Sequence, residues 1–312
     1  MPACMGLRDG LIASAIVVLI TNGASAQQKI AIGATPIGEP ATAMVAIEEG
    51  IFRKHGIDAT YTLITINPSI PPALLAGSLQ IGVPTPTTFL QAVDGGLDLV
   101  VVAGVSNMSQ GSARSIVVVR KDSSIKEPQD LAGKKFGVPG LNAVFHVMVR
   151  YWLMQKGVDP KRVNFVEAVF PVHGDMLRSG QVDAVITGEP FLTNILNRGD
   201  GVPLANIGAE FPIGNPTMMY VATRDYVTKN AAAIAGFRAA IEEAKAFIAA
   251  NPDKTREDVG KTLKLPTAAF ATLATPMIDT KVSVPQLTFW IDIMKQQDML
   301  SRPIDPAKLI LN

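Results

Sequence analysis

Cysteine is almost missing from this 312-residue chain, with Cys4 the single thiol. One cysteine excludes an internal disulfide and a Cys-ligated metal cluster. The three histidines, His55, His146 and His173, are scattered and lack carboxylates in register, so no metal site is expected and no cofactor is called for. Charge of one sign is lacking too: 28 basic residues face 27 acidic ones, a net charge of +1 with no basic cluster. Nucleic acid and anionic membrane are therefore not expected partners. No apolar run reaches the ~20 residues needed to cross a bilayer. A Gly-x-Ser-x-Gly elbow and a glycine-rich phosphate fingerprint are also absent, which removes the sequence marks of an α/β hydrolase and of a nucleotide enzyme.

Residues 1–26 have the layout of an export signal. Arg8 supplies the charged start, 11–20 the apolar run, and Ala24-Ser25-Ala26 the small-residue site before Gln27. Cys4 precedes the apolar run and so is not a lipid-attachment cysteine. The expectation is a cysteine-free protein released into the periplasm.

Within the remainder, two stretches repeat one script. The first, 29–89, carries Gly56-Ile57-Asp58, then Leu74-Leu75-Ala76-Gly77-Ser78-Leu79-Gln80-Ile81, then Pro84-Thr85-Pro86-Thr87. The second, 134–191, carries Gly157-Val158-Asp159, then Leu177-Arg178-Ser179-Gly180-Gln181-Val182-Asp183-Ala184, then Thr187-Gly188-Glu189-Pro190. Short apolar or alternating runs predict strands at 29–32, 60–64, 79–83, 99–103, 115–119, 135–138, 163–166, 184–187 and 218–222. Helices fall between them, which predicts parallel α/β sheets. Pro40 is expected at the first helical position of a segment ending at Glu49, Asn142 as the N-cap of the helix closed by Lys156-Gly157, and Ser283-Val284-Pro285-Gln286 as a capping box. From about Arg224 helices follow one another, and such a tail is expected to pack back on the first unit. The domain expectation is a signal peptide at 1–26, a first lobe of 27–112 plus 219–312, and a second lobe of 113–218. Two chain crossings would form a hinge.

Asp130-Leu131-Ala132-Gly133-Lys134-Lys135-Phe136-Gly137-Val138, then Gly180-Gln181-Val182-Asp183-Ala184 leading to Glu189-Pro190-Phe191, resemble periplasmic substrate-binding proteins of ABC importers. The resemblance is to the nitrate, sulfonate and taurine type, which includes relatives for the thiamine pyrimidine precursor. Supporting runs are Ala46-Ile47-Glu48-Glu49-Gly50-Ile51-Phe52-Arg53-Lys54-His55-Gly56-Ile57 and Val221-Ala222-Thr223-Arg224-Asp225-Tyr226. The resemblance implies a two-lobe type II periplasmic binding protein fold with a helical C-terminal tail, acting as a monomer that hands a small molecule to an inner-membrane ABC permease. It implies no catalysis. An enzyme of the wider group consumes its own histidine with iron and a cysteine-rich motif, and this chain has no such motif.

A ligand in an α/β lobe sits beyond the carboxyl ends of the strands. In the first lobe the candidates are Thr35, Pro36, Gly38 and Glu39, then Thr85, Pro86 and Thr87, whose hydroxyls and helix-start amides suit a carboxylate or sulfonate; the plainer role for these threonines is helix capping. Ser106 and Asn107 are expected in a polar connector after the strand ending at Ala103. Arg114 stands near the first crossing, either as a clamp for a planar anion or, in the plainer role, paired with an acid across the hinge or sitting in solvent. In the second lobe the resemblance points to Leu141, Asn142, Ala143 and Val144, an apolar version of a loop that is rich in serine and threonine in many anion-binding relatives. This favours a ligand with an apolar body, an organic acid or sulfonate before nitrate. Phe170 offers an aromatic face. Glu189 either accepts from a ligand N–H group, or helps hold the hinge or caps the helix beginning at Pro190, and Glu39 is equally ambiguous. His146, Met148 and Trp152 are expected in the core.

Overall fold

The computed structural model describes residues 1, 27–109, 115–265 and 277–311. The expected signal peptide, Cys4 and Arg114 lie outside the described residues. The first unit runs β1 (Gln28–Ala34), α1 (Ala41–Glu48), α2 (Ile51–Lys54), β2 (Ile57–Leu63), α3 (Ile70–Leu75), β3 (Ile81–Gly82), α4 (Pro86–Asp94) and β4 (Leu99–Asn107). The second runs β5 (Ile116–Arg120), β6 (Lys135–Val138), α5 (Val144–Gln155), β7 (Asn164–Glu167), α6 (His173–Ser179), β8 (Ala184–Thr187), α7 (Phe191–Arg198) and β9 (Gly201–Asn206). Last come β10 (Pro216–Thr223), α8 (Arg224–Lys229), α9 (Ala231–Ala250), α10 (Pro252–Leu263) and α11 (Val284–Lys295).

The strands form two five-stranded sheets, ordered β2-β1-β3-β10-β4 and β7-β6-β8-β5-β9. Replacing β1, β2, β3, β4 and β10 by β6, β7, β8, β9 and β5 converts one order into the other, so the sequence repeat is a structural repeat. The expectation of parallel sheets needs correction, because both are mixed. β10 is antiparallel to β3 and β4, and β5 is antiparallel to β8 and β9. A chain arriving from the other lobe enters at the carboxyl edge of the parallel strands and must run against them. β9 was not expected as a strand, since Pro203 interrupts its short run. It lies at the sheet edge, where a proline missing one donor is tolerated.

Alternation along β1 turns Ile30, Ile32 and Ala34 into a core shared with Phe52 and, from α9, Phe237, Ile241 and Ala244. The tail thus packs on the first lobe as expected, with Phe52 and Phe237 stacked at 5.4 Å. A second core joins the lobes: Phe89 and Leu90 of α4 share it with Val147, Met148 and Trp152 of α5 and with Leu287, Trp290 and Met294 of α11. The capping box at Ser283 and Gln286 forms. Two helix starts differ from expectation. Pro40 is the N-cap of α1 rather than its first helical residue, and Ala143, not Asn142, is the N-cap of α5. Asn142 instead takes a positive φ of 66°, a conformation that asparagine tolerates better than most residues. Among the described residues no helix is long and apolar enough to cross a membrane.

Candidate ligand-binding cleft

The carboxyl ends of β1, β3, β6 and β8 deliver the chain to the starts of α1, α4, α5 and α7, and these four junctions hold the candidate residues other than Ser106 and Asn107 on β4 and Phe170 after β7. In the β1–α1 loop Thr35 is 4% exposed and its Oγ1 has no hydrogen-bond partner. Pro36 is half-buried beside it and Gly38 is buried. Glu39 Oε2 accepts from Ser106 Oγ and from Thr217 Oγ1, each at 2.7 Å. Ser106 lies on β4 and Thr217 on β10, so one carboxylate ties the loop to both strands that lead into and out of the hinge. Ser106 and Asn107 are therefore not in a connector: β4 continues four residues past Ala103, and both side chains are buried within it. Asn107 Nδ2 donates to Asp279 Oδ2 at 2.8 Å, while its Oδ1 is buried without a partner.

At α4 the capping role holds. Thr85 is the N-cap, its Oγ1 accepting from Thr88 N–H at 3.4 Å, and Pro86 takes the first helical position. The Thr87 and Thr88 hydroxyls stand 3.2 and 3.1 Å from the same oxygen. Thr85 N–H donates to Asn67 Oδ1 at 2.9 Å, and Asn67 Nδ2 reaches Val83 O at 3.4 Å. Asn67 had no sequence mark beyond its Asn-Pro turn, yet it is the buried brace of this junction. Thr85 also touches the other lobe: Val144 N–H, at the start of α5, donates to its Oγ1 at 3.3 Å. An oxygen at the amide end of α5 is thus supplied by the facing lobe.

The β6–α5 loop is pinned by its own side. Leu141 N–H donates to Glu167 Oε2 at 3.2 Å, and Asn142 N–H to His146 Nδ1 at 2.8 Å. Accepting at Nδ1 fixes the neutral imidazole with its proton on Nε2, and burial, aided by Arg150, lowers its pKa to about 4. The ring packs edge-on to Phe165 at 4.5 Å, the core position expected of it. Ala143 and Val144 are buried, while Leu141 is exposed. Behind them Phe170 stacks on Phe191 at 5.5 Å and meets Phe145 edge-on at 5.9 Å. Phe170 and Phe191 belong to the same apolar cluster as first-lobe residues Ile37 and Val83. His173 below the stack donates from Nε2 to Ala168 O at 2.6 Å, and burial lowers its pKa to about 4.

At β8–α7, Glu189 Oε2 accepts from Thr193 N–H at 3.1 Å, which is the helix-holding role; the helix begins at Phe191, with Pro190 as N-cap, and the Glu189–Pro190 peptide is cis. Thr187, not singled out in the sequence, is fully buried at the end of β8 with an unpartnered Oγ1. Chemically, the first-lobe junctions gather hydroxyls and buried acceptors, and the second-lobe residues an apolar, aromatic group. Among the described residues no three His, Cys, Asp or Glu side chains gather as a metal site.

A family model described as NMT1/THI5 like matches residues 39–255. A binding protein of Brucella abortus strain 2308 is 29% identical over 232 residues, covering 74% of this chain and 70% of its own. The nitrate/nitrite binding protein NrtA of Nostoc sp. PCC 7120 is 23% identical over 236 residues, 70% of this chain and 53% of that protein. The solved structure of the alkanesulfonate-binding protein SsuA from Xanthomonas axonopodis pv. citri, bound to MOPS, superposes with a TM-score of 0.78 at 18% identity, covering 92% of this chain and 98% of that one. The matched span and the shared two-lobe architecture place this chain in the NMT1/THI5-like family, on the periplasmic binding protein fold.

Proposed function

We propose that this chain is the solute-binding component of an ABC importer, exported to the periplasm, which captures one small organic molecule between its lobes and passes it unchanged to an inner-membrane permease. The preferred cargo is an organic acid or sulfonate with an apolar body. The observation that carries this reading is the asymmetry of the cleft. Ala143, Val144, Phe145 and Phe170 offer an apolar body area to bury, which a bare inorganic anion would not use. The hydroxyls of Thr35 and Thr87 on the opposite side suit the oxygens of an acid head. Closure follows from differential contact: a ligand bridging both sides stabilises the shut arrangement over the open one.

Glu39 and Glu189 support a second reading, a heteroaromatic cargo whose N–H groups donate to a carboxylate. A thermal-shift screen of ligand-stripped protein separates the two. Sulfonates, aliphatic and aromatic carboxylates, nitrate and aminopyrimidines are compared, and a ligand at a hundred times its Kd adds about 2.7 kcal/mol to stability. Hits confined to acids with apolar bodies support the first reading and hits confined to aminopyrimidines the second. Conversion of any hit to product overturns both.

A further inference from the structure

The two chain crossings are not the only link between the lobes. Residues 277–311 bond to β4 and to β10, the strands that lead into and out of the hinge. Gly104 N–H of β4 donates to Thr280 O at 2.8 Å, and Asn107 N–H to Met277 O at 3.0 Å. A Cβ at Gly104 would lie 2.2 Å from Asp279 O, so only glycine lets the segment approach β4 this closely. On α11, Trp290 Nε1 donates to Pro216 O at 2.9 Å and Gln286 Nε2 to Gly214 O, fastening the second crossing. The helix packs against α4 of one lobe and α5 of the other. Farther on, Ser301 and Arg302 N–H groups donate to Asp94 at the end of α4, and Leu311 N–H donates to Val101 O at 3.0 Å.

Gln297 of this segment also reaches α5 in the second lobe. Gln297 is 5% exposed; its Nε2 donates to Val147 O on α5 at 3.2 Å, and its own carbonyl accepts from Arg150 Nη2 at 3.2 Å. Asp298, next in the chain, provides the charge opposite Arg150. The helix so held is the one whose first turn forms the apolar wall of the cleft and whose Val144 N–H meets Thr85. We infer that residues 277–311 are a noncovalent third strap across the hinge, and that Gln297 with Arg150 is a positioning pair that sets how far α5 stands from the first lobe. Opening by rotation of the second lobe has to break or slide this clasp. The buried Gln297 Oε1 has no partner, so the clasp is not a fully satisfied, locked contact. The inference rests on the reading of the protein as a closing two-lobe receptor, but its test needs no ligand.

Spin labels at Ser78→Cys and Ser179→Cys, exposed at the far ends of the two lobes, report their separation in the full chain carrying Cys4→Ser, where no other thiol takes label. Gln297→Met keeps the side-chain length and removes the carboxamide that bonds Val147 O. The expected result is a broader distance distribution with its mean shifted outward relative to the parent, and the same shift, smaller, in Arg150→Lys. Arg150→Lys also carries the test if Gln297→Met fails to fold. A merely structural role lowers the melting temperature and leaves the distribution where it was; that result in both variants overturns the strap. Solute binding, read by the screen, is untouched by that failure.

Discussion

Thr85→Val separates the two roles that one hydroxyl oxygen plays in this cleft. Valine is isosteric, so no cavity forms, but Oγ1 is lost. The first consequence is the missing N-cap of α4, about 1 kcal/mol in a typical case. The second is that Val144 N–H, at the buried start of α5, loses its acceptor, about 1–3 kcal/mol when no water replaces it. Together they amount to about 2–4 kcal/mol in the closed arrangement, of which only the cap persists when the lobes part. Thr85→Ser keeps the oxygen and deletes one methyl, about 0.8 kcal/mol. In thermal denaturation the valine variant is therefore expected to melt several degrees below the serine variant, and in labelled protein it alone should populate the open arrangement more. Equal melting temperatures, or a serine variant less stable than the valine one, would refute the reasoning, because the oxygen would then be carrying neither load.

Phe170→Ala, which empties the stack against Phe191 and Phe145, should cost about 3–5 kcal/mol in denaturant unfolding and weaken binding of aromatic ligands more than that of short aliphatic acids. Gly104→Ala forces a Cβ onto Asp279 O and should destabilise the chain by 1–3 kcal/mol or so, with faster amide exchange at Gly104 and Asn107. The buried His146 and His173 are held neutral, with pKa near 4 against an ordinary 6.5. Between these values the unfolded chain binds more protons, so their stability contribution is complete above pH 6.5 and is lost as pH falls towards 4. His173→Gln should flatten the slope of unfolding free energy against pH in that window; an unchanged slope would show that other groups produce it.

Much of the architecture was legible because each half repeats the same alternation of strand and helix, and a repeat is visible wherever local patterns recur. Strand direction is not local. Nothing in 116–120 or 216–223 says that the chain enters its sheet from the opposite lobe, so the antiparallel β5 and β10 were read as parallel. Local rules also misplaced Asn142, a good cap by residue type, because His146 offers its backbone N–H a better partner and leaves the cap position to Ala143. The role of Glu39 was undecidable in sequence for a plainer reason: its partners Ser106 and Thr217 lie 67 and 178 residues away. Thr187 stands in the repeated loop without a mark of its own, as Asn67 does in its turn, since neither a buried orphan hydroxyl nor a brace two loops away leaves a motif.

The most direct test of the central claim is equilibrium titration of the ligand-stripped protein with the strongest hit from the screen, followed by mass spectrometry of the compound released from the complex. The account predicts saturable binding of one molecule per chain and recovery of that molecule with its mass unchanged after prolonged incubation. A compound recovered with altered mass, or a folded protein that binds none of the classes offered, would contradict it.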